Sequence, residues 1–228
     1  MLGSRKISVS GGNKFRDNYS LAFDGSNDYI GISSTTYDVD GSDVSFTFWV
    51  KRDNVGVQNL VMAANNNLKN INLHSNGSMY IETNTNEDSA SAGIIQDTNW
   101  HHYAIVCSSG TVYMYQDGVA LSMNDDSISD DITLDKISTS SAKVFNGNIS
   151  EVAVYTSALS ANQVKTIYNG REPYNHKEGA ISGNLQAWWR MGDGLENHSG
   201  TTIYDMSNNT NNGTMTNMTS TDFEGDTP

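Results

Sequence analysis

The chain has 228 residues, of which 36% are hydrophobic, 20 are glycine and 2 are proline, and its formal net charge is -13. This acidic balance argues against nucleic acid or an anionic membrane surface as partners, because phosphate binding depends on Lys and Arg. The single cysteine excludes an internal disulfide, and no stretch approaches the roughly 18 apolar residues that a membrane-spanning helix requires.

Residues 1–18 form a basic arm, containing Gly and Ser, in an otherwise acidic chain. Arg5, Lys6, Lys14 and Arg16 stand against one acidic residue. The arm is either a frayed, solvated terminus or a docking segment that becomes ordered on an acidic partner. It has no apolar run long enough for a signal-peptide core, so no classical secretory route is expected.

From Tyr19 onward the pattern predicts short strands separated by turns. DVSFTFWVKR (residues 43–52) alternates apolar and polar side chains, which predicts a strand that is buried on one face only. Asn76-Gly77 lies between two strand-like runs and predicts a tight hairpin.

The segment NWHHYAIVCSSGTVYMYQDGVAL (residues 99–121) predicts a three-stranded meander, with a second hairpin turn at Asp117-Gly118. His101 and His102 are adjacent, so on a strand they point to opposite faces and cannot bind one metal ion together. A structural role is therefore expected for both histidines.

Three other side chains of this meander are also expected to be structural. Cys107 is predicted to be a buried, inert thiol. Tyr113 and Tyr115 alternate along the return strand, a pattern more typical of a β core than of a sugar-stacking surface.

The run SALSANQVKTIYNG predicts one short helix. Ser160 and Gln163 have the spacing of a capping box, and Gly170 is a natural C-terminal stop. Val164 and Ile167 belong to a short apolar stripe, so the helix is expected to cover one edge of a β core.

The C-terminal part of the chain has too few apolar residues for an independent domain. Residues 172–184 predict a polar connector, and residues 185–228 predict a β-like segment in which Trp188, Trp189 and Met191 can pack. This segment is expected to complete the sheets formed by the first part of the chain.

Five motifs occur in an order that resembles one family. FDGSNDYI, FTFWVK, NWHHYAIV, TVYMYQDGVAL and FNGNISEVAVYTSALSANQVKTIYNG follow one another as in concanavalin A-like, laminin G-type jelly-roll domains, and the resemblance covers residues 19–171. It implies an all-β fold: an antiparallel two-sheet jelly-roll sandwich with one short helix.

The segment WWRMGDG…DMSNNTNNGTMTNM resembles one that often precedes the FDG strand in this family, but here it follows the helix. Either the strand order is circularly permuted or a truncated second repeat begins here. We favour the permutation, because chain termini often lie close together in compact domains.

Calcium, in a structural role, is the candidate cofactor on chemical grounds. Asp24, Asn27 and Asp28 offer hard oxygen ligands in one turn, and the resemblance adds Glu151 from the matching late strand. An EF-hand is excluded, because Thr35 stands where the closing Glu would be. The alternative is that the loop is only a turn.

Glycoside hydrolysis is not expected. Such enzymes need two carboxylates roughly 5–9 Å apart, and the late strand ISEVAVY carries one acidic residue only. The sequence therefore predicts a protein without catalytic activity.

The Asn-rich character of the chain resembles structural proteins predicted in marine bacteriophages. The leading hypothesis is therefore a virion protein on the particle surface: a capsid decoration or cement protein, or a tail or fibre module, with major capsid or tail proteins as partners. The basic arm (Arg5, Lys6, Lys14, Arg16) would dock it. A homo-oligomer is compatible with this role, and no symmetry is predicted.

The alternative is an extracellular, lectin-like adhesion module that recognises a cell-surface glycan through its loops, with calcium as a candidate requirement. The two hypotheses overlap, because a virion protein can carry a lectin face.

Overall fold

The computed structural model of this protein describes residues 15–64, 67–83, 87–90, 93–140 and 142–228, with only the backbone described for 87–90. Within these ranges the chain forms two antiparallel sheets, one α-helix and two short 3-10 helices. The predicted all-β, two-sheet sandwich with one short helix is confirmed.

The first sheet has eight strands, in the order β10-β9-β8-β3-β13-β1-β17, and β14 pairs with β13 outside this order. Its members are β1 (Ser20–Asp24), β3 (Asp43–Arg52), β8 (Trp100–Ser108), β9 (Thr111–Gln116), β10 (Val119–Ala120), β13 (Asn146–Tyr155), β14 (Leu185–Trp189) and β17 (Phe223–Glu224).

The second sheet has nine strands, in the order β11-β7-β6-β5-β4-β12-β2-β16-β15. Its members are β2 (Tyr29–Tyr37), β4 (Asn59–Ala63), β5 (Asn70–Leu73), β6 (Met79–Glu82), β7 (Glu87–Ala90), β11 (Met123–Asp125), β12 (Ile132–Ser138), β15 (Thr202–Ile203) and β16 (Gly213–Thr216).

The main core lies between the two sheets. Alternate residues of β3, including Phe46 and Phe48, meet Ile71 and Ile81 of the nine-stranded sheet in one buried cluster. Cys107 belongs to the same cluster and is fully buried, as predicted. Because apolar burial is the main source of stability, this layer fixes how the sheets face each other.

The prediction that β3 is buried on one face only is wrong. Ser45, Thr47 and Trp49 on its other face are also buried. A second apolar cluster covers this outer face of the eight-stranded sheet, and it includes Trp188 and Ile167. Sequence alternation could not show this layer, because distant segments supply it.

Helix α1 (Ala161–Tyr168) belongs to this outer layer, and its capping box is confirmed. The Ser160 side chain accepts from the backbone N–H of Gln163, and the Gln163 side chain accepts from the backbone N–H of Ser160. The chain reaches left-handed backbone one residue earlier than predicted, at Asn169, whose φ is 48°.

Both predicted hairpin turns are confirmed. The backbone N–H of His74 donates to the backbone oxygen of Ser78, which closes the turn that contains Asn76-Gly77. Asp117 and Gly118 both have positive φ, 50° and 75°, which suits a two-residue turn between twisted strands.

The C-terminal segment contributes strands to both sheets: β14 and β17 join the first, and β15 and β16 join the second. No helix within the described ranges is long and apolar enough to cross a membrane.

Candidate functional site

The outer face of the nine-stranded sheet carries an ordered row of polar side chains. Along β5, Ile71 and Leu73 point into the main core. Since side chains alternate along a strand, Asn70, Asn72 and the following His74 point to the opposite face. We call this surface the amide face.

Four side chains of the amide face form a directional hydrogen-bond chain. Gln58 Nε2 donates to Asn72 Oδ1 (3.0 Å), Asn72 Nδ2 donates to Asn70 Oδ1 (2.7 Å), and Asn70 Nδ2 donates to Glu82 Oε2 (2.6 Å). Asn70 and Asn72 are fully buried, whereas Gln58 and Glu82 are half-buried. The buried amides therefore hold the orientation of the two side chains that solvent reaches.

Two half-buried tyrosines flank this chain. Tyr80, directly opposite Asn72 in the register, packs edge-on against His74 and accepts a hydrogen bond from Asn76 Nδ2 (3.0 Å). Tyr29, on β2, also lies on the amide face of the sheet, and Lys136 Nζ is 5.6 Å from the centre of its ring. The two tyrosines are four strands apart, which is about 19 Å at ordinary strand spacing.

The arrangement suits a ligand with hydroxyl groups and apolar ring faces. Amide groups donate and accept hydrogen bonds and a carboxylate accepts several, and a tyrosine ring offers an apolar surface with a polar end. The sequence analysis missed this face, although the alternation in INLH was visible, because only cross-strand register brings Tyr80 and Glu82 beside the asparagines.

The predicted calcium loop is held together by its own hydrogen bonds. Asp24 Oδ1 accepts from the N–H of Ser26 (2.7 Å), and Asp28 Oδ2 accepts from the N–H of Asp24 (3.0 Å). The backbone oxygen of Asn27 accepts from Asn217 Nδ2 (2.9 Å). Burial raises the pKa of Asp28. Calcium binding by this loop stays a prediction.

Glu151, the fourth predicted calcium ligand, does not lie with that loop. Asp24 pairs with Asn146 at the start of β13, and Glu151 lies five residues further on, about 16 Å along the strand. Its carboxylate accepts from Arg190 Nε (2.9 Å) and from Trp188 Nε1 (2.5 Å). The structure thus places Glu151 in a buried ion pair, away from the other three residues.

A β-bulge explains the direction of the Glu151 side chain. The pairing with β3 shifts register between Ser150 and Ala153, and Glu151 has a φ of 50°. The extra residue turns Glu151 toward the outer layer. Burial raises its pKa to about 7, against the lowering effect of Arg190.

Three other acidic side chains lie close enough together to share one cation. Asp38, Asp40 and Asp131 hold one carboxylate oxygen each within 4.8 Å of one another, and among the described residues this is the only such group of three. Desolvation raises the pKa of Asp131, and repulsion from the charges of Asp38 and Asp40 raises it further. Asp38 also accepts from Gly41 N and Ser42 Oγ (both 2.7 Å).

Of the predicted docking residues, Arg5, Lys6 and Lys14 lie outside the described residues. Arg16 is described and exposed, and its backbone oxygen accepts from Arg190 Nη2 (2.6 Å). Partner docking by these four residues stays a prediction.

The adjacent histidines lie on opposite faces of β8, as predicted. His101 is held between Asp117 Oδ2 (2.7 Å) and Asp97 Oδ1 (3.0 Å). His102 is fully buried, and burial lowers its pKa to about 3. The prediction for Tyr115 holds, since it is buried in the outer cluster, but Tyr113 is 48% exposed.

The comparisons with known proteins point to one fold family. A model of the concanavalin A-like lectin/glucanases superfamily matches residues 24–165. No curated protein sequence matches the chain.

Three solved structures share this architecture. A candidate carbohydrate-binding protein of Bacteroides ovatus is 18% identical, with a TM-score of 0.66 over 90% of this chain and 60% of its own length. Domain 4 of an extracellular arabinanase from Geobacillus stearothermophilus, solved with arabinotriose, is 18% identical, with a TM-score of 0.53 over 65% of this chain and 76% of that one.

The third is the heptameric SAP-like pentraxin of Limulus polyphemus, 15% identical, with a TM-score of 0.51 over 67% of this chain and 82% of its own. At these identities the likenesses show a shared fold. The chain spans less than two thirds of the Bacteroides protein, so that protein has further parts without a counterpart here.

Proposed function

Because the chain belongs to the concanavalin A-like lectin/glucanase superfamily, we propose that it is a non-catalytic carbohydrate-binding protein whose saccharide lies across the amide face of the nine-stranded sheet. The observation that carries the proposal is the hydrogen-bond chain from Gln58 to Glu82 between Tyr29 and Tyr80.

The chemistry of this face matches a neutral glycan. Sugar hydroxyls donate and accept hydrogen bonds, so the half-buried Gln58 and Glu82 can each bind one. The apolar face of a sugar ring can pack on the ring of Tyr80. Because Asn70 and Asn72 already fix the directions of their neighbours, binding would order few further side chains, which lowers its entropic cost.

The structural relatives support the same class of ligand. The Bacteroides protein is described as a candidate for carbohydrate binding, and the arabinanase domain was solved with arabinotriose. Their likeness to this chain is one of fold, so neither identifies the saccharide.

The surroundings of Glu151 support the non-catalytic part of the proposal. A glycosidase presents two carboxylates to the cleaved bond, whereas both oxygens of Glu151 accept from buried partners and its side chain is only 1% exposed. It is therefore not available to a substrate.

The test is a glycan array followed by calorimetry on each saccharide that binds. Replacing Tyr80→Ala should weaken binding at least tenfold. Tyr113→Ala is the matched control, because Tyr113 is an exposed tyrosine on the other sheet. No saccharide binding by the wild type, or equal binding by both variants, would overturn the proposal.

Calcium enters the proposal as a dependence to be measured. Repeating the array with a chelator tests whether the loop of Asp24, Asn27 and Asp28 contributes. A loss of binding that Asp28→Asn reproduces would assign the ion to this loop, and unchanged binding would remove calcium from the mechanism.

The virion role stays a prediction from the sequence, and one structural feature is compatible with it. Arg190 Nη2 donates to the backbone oxygen of Arg16, which fixes this arm residue against the sandwich. Crosslinking mass spectrometry on a particle containing the chain would decide: crosslinks from Lys6 or Lys14 to a capsid or tail protein are expected, and absence from particles would reject the role.

A further inference from the structure

Arg52 is a buried cation at one end of the sandwich. It is the last residue of β3, on the face that carries Phe48 and Val50 into the main core. The residue is only 3% exposed. The alternation of β3 thus directs a guanidinium group between the two sheets, where an apolar side chain would be expected.

The guanidinium lacks the partners that such a position demands. Neither Nη1 nor Nη2 of Arg52 has a hydrogen-bond partner, and Arg52 makes no ion pair with any described residue. Arginine keeps its charge in proteins. A buried charge without a counter-charge or hydrogen bonds is strongly unfavourable, so this group calls for an acceptor.

A second donor without an acceptor lies nearby. The hydroxyl oxygen of Tyr103 accepts from Gln116 Nε2 (3.1 Å), which leaves its own hydrogen without an acceptor among the described residues. Tyr103 is 1% exposed. Tyr103 lies on β8, the strand that pairs with β3, and its side chain points into the main core, as Arg52 does from the end of β3. The charge of Arg52 also offsets part of the rise in the Tyr103 pKa that burial causes.

The two carboxylates of this region, those of Asp97 and Asp117, already accept hydrogen bonds from other groups. Asp97 accepts from the N–H of Asn99 (2.8 Å) and bonds to His101 (3.0 Å). Asp117 bonds to the other nitrogen of His101 (2.7 Å) and accepts from the N–H of His102 (3.0 Å). They therefore position His101, and neither forms an ion pair with Arg52, although the charge of Asp97 counters part of the lowering of the Arg52 pKa that burial causes.

We propose that Arg52 and Tyr103 form a buried binding site for a small monovalent anion of halide size. The two Nη groups offer four N–H donors and Tyr103 offers one O–H, while the Tyr103 oxygen already accepts from Gln116 Nε2. A water molecule would bring two further hydrogens into this excess of donors. A halide accepts several hydrogen bonds, brings none, and neutralises the charge.

The size limit follows from burial. The Arg52 Nη atoms are closed off from solvent, so a sugar carboxylate or a phosphate ester attached to a larger molecule would not reach them. The site is distinct from the amide face, and its occupant would join the end of β3 to β8. Anion binding would then raise stability with anion concentration, because a ligand that binds only the folded state shifts the folding equilibrium.

The first experiment measures thermal unfolding in sodium chloride and bromide against sodium gluconate at matched ionic strength. The wild type should unfold at a higher temperature in halide, by a margin that grows with concentration. Arg52→Met should lose this difference, and Tyr103→Phe should raise the halide concentration needed several-fold. Lys51→Met is the matched control, because it removes a neighbouring surface cation and should keep the full halide effect.

The second experiment is a crystal grown in bromide, which does not depend on a variant that folds. An anomalous peak at hydrogen-bond distance from Arg52 Nη and Tyr103 Oη is expected. A halide effect of equal size in Arg52→Met, or a map in which water or a protein carboxylate occupies this place, would overturn the proposal. Saccharide binding is unaffected by either result, so this site and the proposed function fail independently.

Discussion

Glu151 and Arg190 form a buried ion pair, in which Glu151 Oε1 lies 2.9 Å from Arg190 Nε. The same guanidinium donates from Nη2 to the backbone oxygen of Arg16 (2.6 Å) and lies 4.2 Å from the centre of the Phe15 ring. Arg190 therefore joins three distant parts of the chain: the bulge in β13, the residues after β14, and the segment that precedes β1.

Replacing Arg190→Met should destabilise the protein by about 3–5 kcal/mol at pH 9, because it leaves the Glu151 carboxylate buried without its partner. The loss should be smaller at pH 5. The pKa of Glu151 is already raised to about 7, and without the guanidinium it rises further, so at pH 5 the carboxyl takes up a proton. Urea unfolding at the two pH values measures the difference.

Lys51→Met serves as the comparison for this prediction. Lys51 pairs with Asp226 on the surface, where both side chains are partly exposed, and such pairs contribute at most about 1 kcal/mol. Equal losses for Arg190→Met at pH 5 and pH 9 would show that Glu151 is not the source of the effect.

The segment at residues 15–19 should loosen as the pH rises. Burial, followed by the charge of Glu151, raises the pKa of Asp17, and a hydrogen bond with the Asp193 carboxyl adds to the rise. The folded state thus keeps a proton that the unfolded state releases above about pH 4. Stability falls from there until the pH passes the raised folded pKa.

Asp17→Asn should remove this dependence, because the amide stays neutral and can still accept from Ser150 Oγ, which lies 2.7 Å from Asp17 Oδ2. The measurement is hydrogen exchange of the Asn18 and Tyr19 amides, which donate to Asp193. Their protection should fall in the wild type as the pH rises above about 4, the unfolded pKa of the carboxyl, and stay constant in the variant. Parallel behaviour of the two proteins would contradict the assignment.

The turns and the helix cap could be predicted because a few neighbouring residues determine them. Asp117-Gly118 supplies the two positive φ angles of a two-residue hairpin, and Gly77 supplies the one positive φ of the turn at Asn76-Gly77, wherever the strands later pack. Alternation likewise identified the core face of β3 correctly.

The errors have a common physical cause, which is contact between distant segments. Ser45 and Thr47 suggested that the other face of β3 is exposed to solvent, but residues far along the chain cover it. Glu151 looked like a free oxygen ligand, and the arginine that binds it lies 39 residues away. The amide face needed the register of β5 and β6, which alternation within one strand cannot supply.

Acid should destabilise the protein through two buried histidines. Burial lowers the pKa of both His102 and His176 to about 3, whereas an unfolded histidine has a pKa of about 6.5. Between these values the unfolded state binds protons that the folded state does not. The contribution of these histidines to stability should therefore fall with decreasing pH, on the order of 1.4 kcal/mol per pH unit for each, and it opposes the gain from the raised pKa values of Asp17 and Glu151.

His102→Leu isolates one of the two contributions. Neither ring nitrogen of His102 has a hydrogen-bond partner among the residues that the structure describes, so the apolar side chain should be tolerated at neutral pH, within about 1.5 kcal/mol of the wild type. Between pH 6 and pH 4 the slope of its unfolding free energy against pH should differ from that of the wild type by on the order of 1.4 kcal/mol per pH unit, which is the contribution of His102. An unchanged slope would show that His102 is not neutral in the fold.

Gly147→Ala should destabilise the protein by about 3 kcal/mol or more, because strain and overlap add at this position. Gly147 lies in β13 between Arg52 of β3 and Phe23 of β1, with a φ of 129°. A Cβ atom there would lie 2.1 Å from the backbone oxygen of Lys51, which cannot move without breaking the pairing of β3.

Gly183→Ala is the control, since no described atom lies within 4 Å of its Cβ position, and a change of no more than about 0.5 kcal/mol is expected. Thermal and urea unfolding of the two variants should separate them clearly. A Gly147→Ala protein as stable as the Gly183→Ala protein would mean that β13 and β3 are further apart at this point than the structure places them.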